Sequence, residues 1–378
     1  MQTSTTMKRL TIGFGIVMAA VMALSVVLPT LGRNAATQTT SVQPTQAPVP
    51  TFPPPPEVAS ITFDNTYLHP SGLYTVAQPT GWPASQPEST ATSARSTFTN
   101  TGAQSIIQVD VETLLRDEPA TLDDVDARYT QSALASSWSN YNSWRETGSR
   151  VRTDDGKLQM DFALTAQGQQ YVSRQLAWTD GEWLYSVRVV TPDNATDALR
   201  HVLNGVAGSL SPIKAFASTP FGWSAYHDPL SNHIVRFPST WTVADSAAGR
   251  PASISGPNSV ALRVEAQAGA SVADAAAARA WVEAARPGAS VLNVVPVSRE
   301  GGDGFAVAYR FTNADGEAQS ALAVLLNGTD GALHSANLRF LGDGVDLTTE
   351  EGRAAQPELA QVMDTFLVLP PLAATATE

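Results

Sequence analysis

The chain contains one short pattern twice, and that repeat limits its architecture more than any other feature. Residues 67–82 read YLHPSGLYTVAQPTGW and residues 226–241 read YHDPLSNHIVRFPSTW. Tyr67, Pro70, Val76, Pro79 and Trp82 recur as Tyr226, Pro229, Val235, Pro238 and Trp241; 226 − 67 and 241 − 82 both give 159. Self-similarity at a fixed period marks a repeated structural unit. In each copy, His69-Pro70 or Asp228-Pro229 starts a turn. The residues after it alternate as in a half-buried strand, Leu73 against Thr75 and Ile234 against Arg236. Pro79 and Pro238 end that strand, because proline has no N–H to give to the ladder. The Trp three residues later supplies a large plug for the core.

The order of elements downstream agrees between the two halves. Ile107–Val111 and Val260–Val264 alternate as strands. Each precedes a helical stretch with a capping candidate and an acidic first turn. Thr121 opens one, which continues through Val125, Tyr129 and Leu134; Ser271 opens the other, through Ala278, Trp281 and Val282. Hairpin turns are expected at Asp155-Gly156, Gln167-Gly168 and Asp180-Gly181, and again at Asp303-Gly304, Asp315-Gly316 and Asp330-Gly331. A short amphipathic helix closes each half, Leu199 to Leu210 and Leu359 to Leu367, with Ser209 or Thr365 just before the final apolar residues. This succession predicts an α+β fold of two tandem modules, 58–214 and 218–370, each an antiparallel sheet flanked by helices. The join near Pro212–Pro220 is short, so the modules should touch or be loosely hinged.

With those residues in view, the pattern resembles the PsbP-like family. Pro79-Thr-Gly-Trp82 and Pro238-Ser-Thr-Trp241 match its P-x-x-W, and Ser209-Leu210 and Thr365-Phe366 match the pair that closes its last helix. The resemblance covers both halves. It implies an α/β/α sandwich like that of LpqN-type secreted proteins, used for binding, and its motif carries no catalytic residue.

Lys8-Arg9 precedes an apolar run from Leu10 to Leu31. At ~1.5 Å per residue that run can cross a hydrocarbon core of roughly 30 Å. A positive pair before it places residues 1–9 in the cytoplasm and the bulk of the chain outside. A cleaved signal peptide is the competing reading, but its apolar region is usually only ~7–15 residues, and the surroundings of Pro29 make a poor cleavage site. Residues 10–32 are therefore expected to be a transmembrane anchor. Residues 33–57, rich in Thr, Gln, Ala and Pro, form an extended tether without a core pattern, and 371–378 form a tail.

Charge and residue inventory narrow the chemistry. The chain has no cysteine, which excludes disulfides, thiolate metal sites, cysteine nucleophiles and lipoprotein attachment. A formal charge of -12 argues against nucleic acid as a partner. The five histidines, His69, His201, His227, His233 and His334, show no i,i+4 pair. His227 and His233 are expected to be solvated around a turn. No G-x-S-x-G or phosphate-cradling glycine loop occurs, and residues 343–351 read as a solvated acidic loop without calcium spacing. No catalytic, cofactor or metal residue is expected. Trp138, Tyr141 and Trp144 form the most suggestive cluster, either a stacking platform for a partner or ligand, or core at the sheet edge. These observations lead to a non-catalytic ectodomain that docks a protein partner in the envelope. The alternatives are a carrier of a lipid or other apolar small ligand and an unrecognised hydrolase.

Overall fold

The computed structural model describes residues 52–372 except 86, 115, 117 and 245. The expected anchor at 10–32 and most of the tether lie outside the described residues. Among those described, no helix is long and apolar enough to cross a membrane. The fold is mixed α+β, and every strand pair is antiparallel.

The first half opens with β1 (Asn65–Leu68) and β2 (Tyr74–Gln78), paired so that Tyr67 faces Val76; the short piece Ser211–Pro212 adds a third strand beside β2. The large sheet is built on β3 (Ser93–Asn100), β4 (Ser105–Thr113), β5 (Ser143–Glu146), β6 (Leu158–Ala166), β7 (Gln169–Thr179) and β8 (Trp183–Pro192), with the short pieces Glu88–Ser89 beside β3 and Val151–Arg152 beside β6. Its spatial order is β3-β4-β8-β7-β6-β5. Two short helices, α1 (Leu122–Arg128) and α2 (Gln131–Ser137), follow β4, and α3 (Thr196–Ser209) follows β8.

Strand alternation sends opposite faces of this sheet to different helices. Trp183, Tyr185, Val187 and Val189 of β8 pack with Tyr74, Val76, Trp82 and the α3 residues Leu199, Val202, Leu203 and Val206. On the other face Leu158, Met160, Phe162 and Leu164 of β6 meet Val125, Leu134 and Trp138 from α1 and α2. Each large apolar side chain buried this way is worth about 1.5–3 kcal/mol of transfer free energy.

The second half runs through β9 (Ser224–His227), β10 (His233–Phe237), β11 (Ala252–Ser255), β12 (Ala261–Ala268), α4 (Ala275–Ala285), β13 (Ser290–Arg299), β14 (Gly302–Thr312), β15 (Ala318–Gly328), β16 (Ala332–Leu341), α5 (Glu350–Ala355) and α6 (Pro357–Asp364). Its large sheet has the order β11-β12-β16-β15-β14-β13, the same succession as in the first half. Tyr226 faces Val235 as Tyr67 faces Val76, and Leu367–Val368 lies beside β10 as Ser211–Pro212 lies beside β2. The Ser and Thr that close the last helices have the same task. Ser209 Oγ accepts from Ala77 N at 2.9 Å and donates to Val206 O; Thr365 Oγ1 accepts from Arg236 N at 2.8 Å and donates to Val362 O.

Several local expectations change. The single helix expected from Thr121 breaks at Tyr129-Thr130, where Thr130 caps α2 by accepting from Ala133 N. Asp274, not Ser271, caps α4. Asp303-Gly304 lies inside β14, and the turn falls at Gly301, whose φ is 78°. A Cβ on Gly304 would run into the Leu325 carbonyl, so the residue serves close strand approach. The closing helix of the second half, α6, is preceded by a further helix, and the acidic stretch expected to be a solvated loop contributes Glu350 and Glu351 to the first turn of α5 under the Thr349 cap. The tether does reach the core, because the Phe52 ring packs edge-on against Tyr171 at 5.1 Å.

The halves are not loosely hinged. Phe216, Phe221, Ile234, Leu367 and Leu369 belong to the same buried cluster as β2 and α3. Ala225 N donates to Pro70 O at 2.7 Å. Arg236 is fully buried and spends its guanidinium on neutral acceptors: Ser71 O at 2.6 Å, Pro220 O at 2.7 Å and the Thr219 hydroxyl. Burial without a carboxylate partner lowers its pKa to about 9.

Candidate functional site

Tyr67 and Tyr226 are half-buried over their small sheets, while Trp82 and Trp241 are buried in the cores. Trp82 N and Trp241 N close the same turn, donating to Pro79 O at 3.1 Å and Pro238 O at 2.9 Å. Pro70 and Pro229 are exposed at the hairpin tips. These residues build the fold and offer no open chemistry.

The aromatic cluster is core and not an open platform. Trp138 is 1% exposed, with its ring 5.0 Å from Phe162 and 5.6 Å from Tyr141. Tyr141 and Trp144 are half-buried against it. Burial raises the Tyr141 hydroxyl to about 12. Arg188 lies over the Trp138 ring at 4.4 Å.

The histidines expected to be solvated are enclosed. His233 and His334 are fully buried, with rings 5.9 Å apart, and His227 is half-buried. His233 Nδ1 meets Ser231 Oγ at 2.9 Å and His334 Nε2 meets Asp330 Oδ1 at 3.1 Å. Their other ring nitrogens have no partner among the described residues. Burial depresses His233 to about 4, helped by the neighbouring His334 and His227. His69 is the counterpart in the first half. It stacks on Tyr74 at 5.0 Å; Nδ1 accepts from Ser71 N at 3.1 Å, so Nε2 carries the proton given to Arg95 O. Burial also holds His69 near 4. No group of three or more His, Asp or Glu among the described residues could hold a metal ion.

The open chemistry lies elsewhere. In each half the helices after the second long strand cover only part of one sheet face, and the uncovered part is a polar cleft. In the first half its volume is 330 Å³ and its floor is Arg95, Gln108, Asp110, Ser186 and Arg188. In the second the volume is 480 Å³, the floor is Ser253, Arg263, Glu265, Asn337 and Arg339, and the wall is Trp281 and Arg286. Volumes of ~300–1,000 Å³ are usual for ligand sites.

Strand pairing makes the two clefts comparable position by position. Arg188 faces Gln108, Ser186 faces Asp110 and Leu184 faces Glu112 across β8 and β4. Arg339 faces Ala261, Asn337 faces Arg263 and Ser335 faces Glu265 across β16 and β12. Arginine thus occupies one register position in both halves and glutamate another, while Gln108 and Asp110 are replaced by Ala261 and Arg263. The first cleft is internally satisfied: Arg95 bonds Asp110, Arg188 bonds Gln108, Gln108 Nε2 donates to Asp110 at 3.1 Å, and Arg128 bonds Glu112. Gln175 donates to the Tyr129 hydroxyl at 2.9 Å, and burial raises that hydroxyl to about 12. In the second cleft Arg263 pairs with Glu265 at 2.8 Å and Tyr309 donates to Asn337 at 2.9 Å. Neither Arg286 nor Arg339 has an ion-pair partner among the described residues; Arg286 lies over the Phe311 ring at 4.1 Å. Sequence reading missed both clefts, because the residues that line each floor come from three separate strands.

No family model matches the chain, and no curated protein matches it. Solved structures do. The chain is similar to cyanobacterial PsbP from Synechocystis at 15% identity, covering 39% of this chain and 93% of that one, with a TM-score of 0.29. It is also similar to the T6SS immunity protein TplEi of Pseudomonas aeruginosa at 10% identity, covering 82% and 98%, with a TM-score of 0.25. A chain of the Tle4–Tli4 complex matches at 11% identity, covering 78% and 99%, with a TM-score of 0.24.

Proposed function

We propose that this chain is a non-catalytic binding protein acting outside the cell membrane, built from two PsbP-like α/β/α modules and anchored through residues 10–32. It docks a protein partner across the two sheet-face clefts. The observation that carries this reading is the recurrence of an arginine and a glutamate at matched register positions on the same face of both sheets. The shared core and the Arg236 bonds support it further, because they hold the clefts at a set separation. A two-point surface that is rigid loses less on association than one that must first be ordered. Charged floors favour a polar protein surface over a lipid.

Photo-crosslinkers placed at Asn140 and Ala285, one on the rim of each cleft, test this in the native membrane with the full chain. Both should capture the same partner, giving adducts of one mass, while a probe at the exposed Leu230 captures it poorly. Equal capture from Leu230, or no adduct from either rim, would overturn the reading.

A further inference from the structure

We propose that the second-half cleft is a site for a compact organic anion, gripped through carboxylate or phosphate oxygens by Arg286 and Arg339. This goes beyond partner docking and holds whether or not a protein covers the cleft.

The argument rests on how the same architecture is completed differently in the two halves. In the first cleft the polar side chains are bonded to one another. Arg188, at the shared register position, gives its guanidinium to Gln108 and lies over Trp138, and Arg95 is taken up by Asp110. Its floor groups are held by one another before any ligand arrives. In the second cleft Ala261 stands where Gln108 would be, so Arg339 loses that acceptor. Arg263 stands where Asp110 would be, which exchanges a negative floor residue for a positive one. Arg263, Arg286 and Arg339 then face a single acid, Glu265, and Glu265 is already paired with Arg263. The two remaining guanidinium groups keep their donors free in a cleft of 480 Å³.

A positive recess in a chain of formal charge -12 is a local departure from the overall field. Arginine presents a planar fork suited to carboxylate or phosphate oxygens in a bidentate fashion. Trp281 and Tyr309 add flat apolar surface, and Ser253, Ser335 and Asn337 add neutral polar groups for the remainder of the ligand. Two free arginines on a wall and a floor fit a small anion with at least two oxygens, not an extended polyanion, which the rest of the surface would repel.

Isothermal titration calorimetry on the purified full chain in mild detergent, with citrate and with inorganic phosphate as probes at low ionic strength, tests this. One saturable site is expected for at least one probe, and whichever binds tighter separates carboxylate from phosphate recognition. Arg339→Gln and Arg286→Gln should each weaken that binding roughly tenfold or more, because charge-assisted hydrogen bonds are lost. Arg279→Gln, on the exposed side of α4, should leave it unchanged. An absence of saturable heat with both probes up to millimolar concentration would overturn the proposal. So would equal weakening by Arg279→Gln, which would mean diffuse attraction and no built site.

Discussion

Lowering the pH from 8 to 5 should remove much of this protein's stability through two side chains. His69 and His233 are fully buried and each is held near a pKa of about 4. In both, loss of hydration on burial is the leading cause. The unfolded chain titrates near the ordinary value of about 6.5. Because the folded pKa is depressed, the unfolded state binds the proton more readily, so stability is complete above pH ~6.5 and falls as the pH drops toward 4. At pH 5 the unfolded imidazole is almost wholly protonated and the folded one is almost wholly neutral. The linkage integral from pH 8 then gives about 2 kcal/mol for each histidine, about 4 kcal/mol together. A loss of that size matters against a typical total of about 5–15 kcal/mol. The charges around each ring bear on the sign. His69 is near the Arg236 charge, which disfavours its protonation, while Asp228 and Asp330 near His233 favour it and His227 and His334 oppose it. Carboxylates contribute little in this window, since their unfolded pKa values lie near 4. Urea unfolding followed by tryptophan fluorescence at pH 8, 6.5 and 5 measures the slope. The double variant His69→Asn, His233→Asn should be less stable at pH 8 yet lose far less between pH 8 and 5. An unchanged pH slope in that variant would show that the two imidazoles are not the proton-linked groups.

Two substitutions test the packing that positions the clefts. Gly72 has φ 75°, and a Cβ there would lie 2.8 Å from Ala225 Cβ across the junction. Gly72→Ala should therefore cost more than the ~1–2 kcal/mol of a left-handed alanine alone, whereas Gly156→Ala, at φ 77° with nothing within 4 Å, should cost only that. Equal losses in thermal melts would mean that the junction gives way at the Gly72–Ala225 approach. Trp138→Ala should cost about 3–5 kcal/mol, while Trp144→Ala, at a half-buried ring, should cost less. Crosslinking yield from Ala285 should not change in either variant, and a loss of partner capture without a loss of stability would restore the aromatic cluster as a contact surface.

How much of this was legible from the residues depends on how local each constraint is. The first hairpin of each half was readable because its turn, strand, proline stop and tryptophan plug all act within 16 residues, and the period of 159 is preserved throughout. Ser209 and Thr365 were visible as a recurring pair, although their work, accepting the Ala77 and Arg236 amides, needed the strand pairing. Beyond the hairpins the period drifts. Register-matched positions in β4 and β12 differ by 153 (Asp110 to Arg263), and those in β8 and β16 by 151 (Arg188 to Arg339). Helix and loop lengths differ between the halves, so a comparison at one constant offset never aligns the cleft floors. Helix continuity from Thr121 to Leu134 failed for a related reason. The apolar spacing is right, but Thr130 offers a better cap than Tyr129 offers a helical neighbour. The histidines misled because a His beside Asp-Pro or Ser in a turn looks solvated, and only the sheet and helix folded over it, with Phe366 6.1 Å from the His233 ring, take the water away.

Core positions and cleft floors answer to different neighbours. A core position answers to neighbours on several elements at once, so a change of size there costs stability directly. The cleft floors answer mainly to one another across adjacent strands. Exchanging Gln108 and Asp110 for Ala261 and Arg263 leaves the underlying β4 and β12 core residues, Val109 with Val111 and Leu262 with Val264, fully packed. One scaffold therefore supports a cleft whose polar groups are bonded to one another and another in which Arg286 and Arg339 have no ion-pair partner among the described residues. Charge reversal at the exposed and unpaired floor residue, Arg339→Glu, should therefore move anion binding strongly and the unfolding midpoint little.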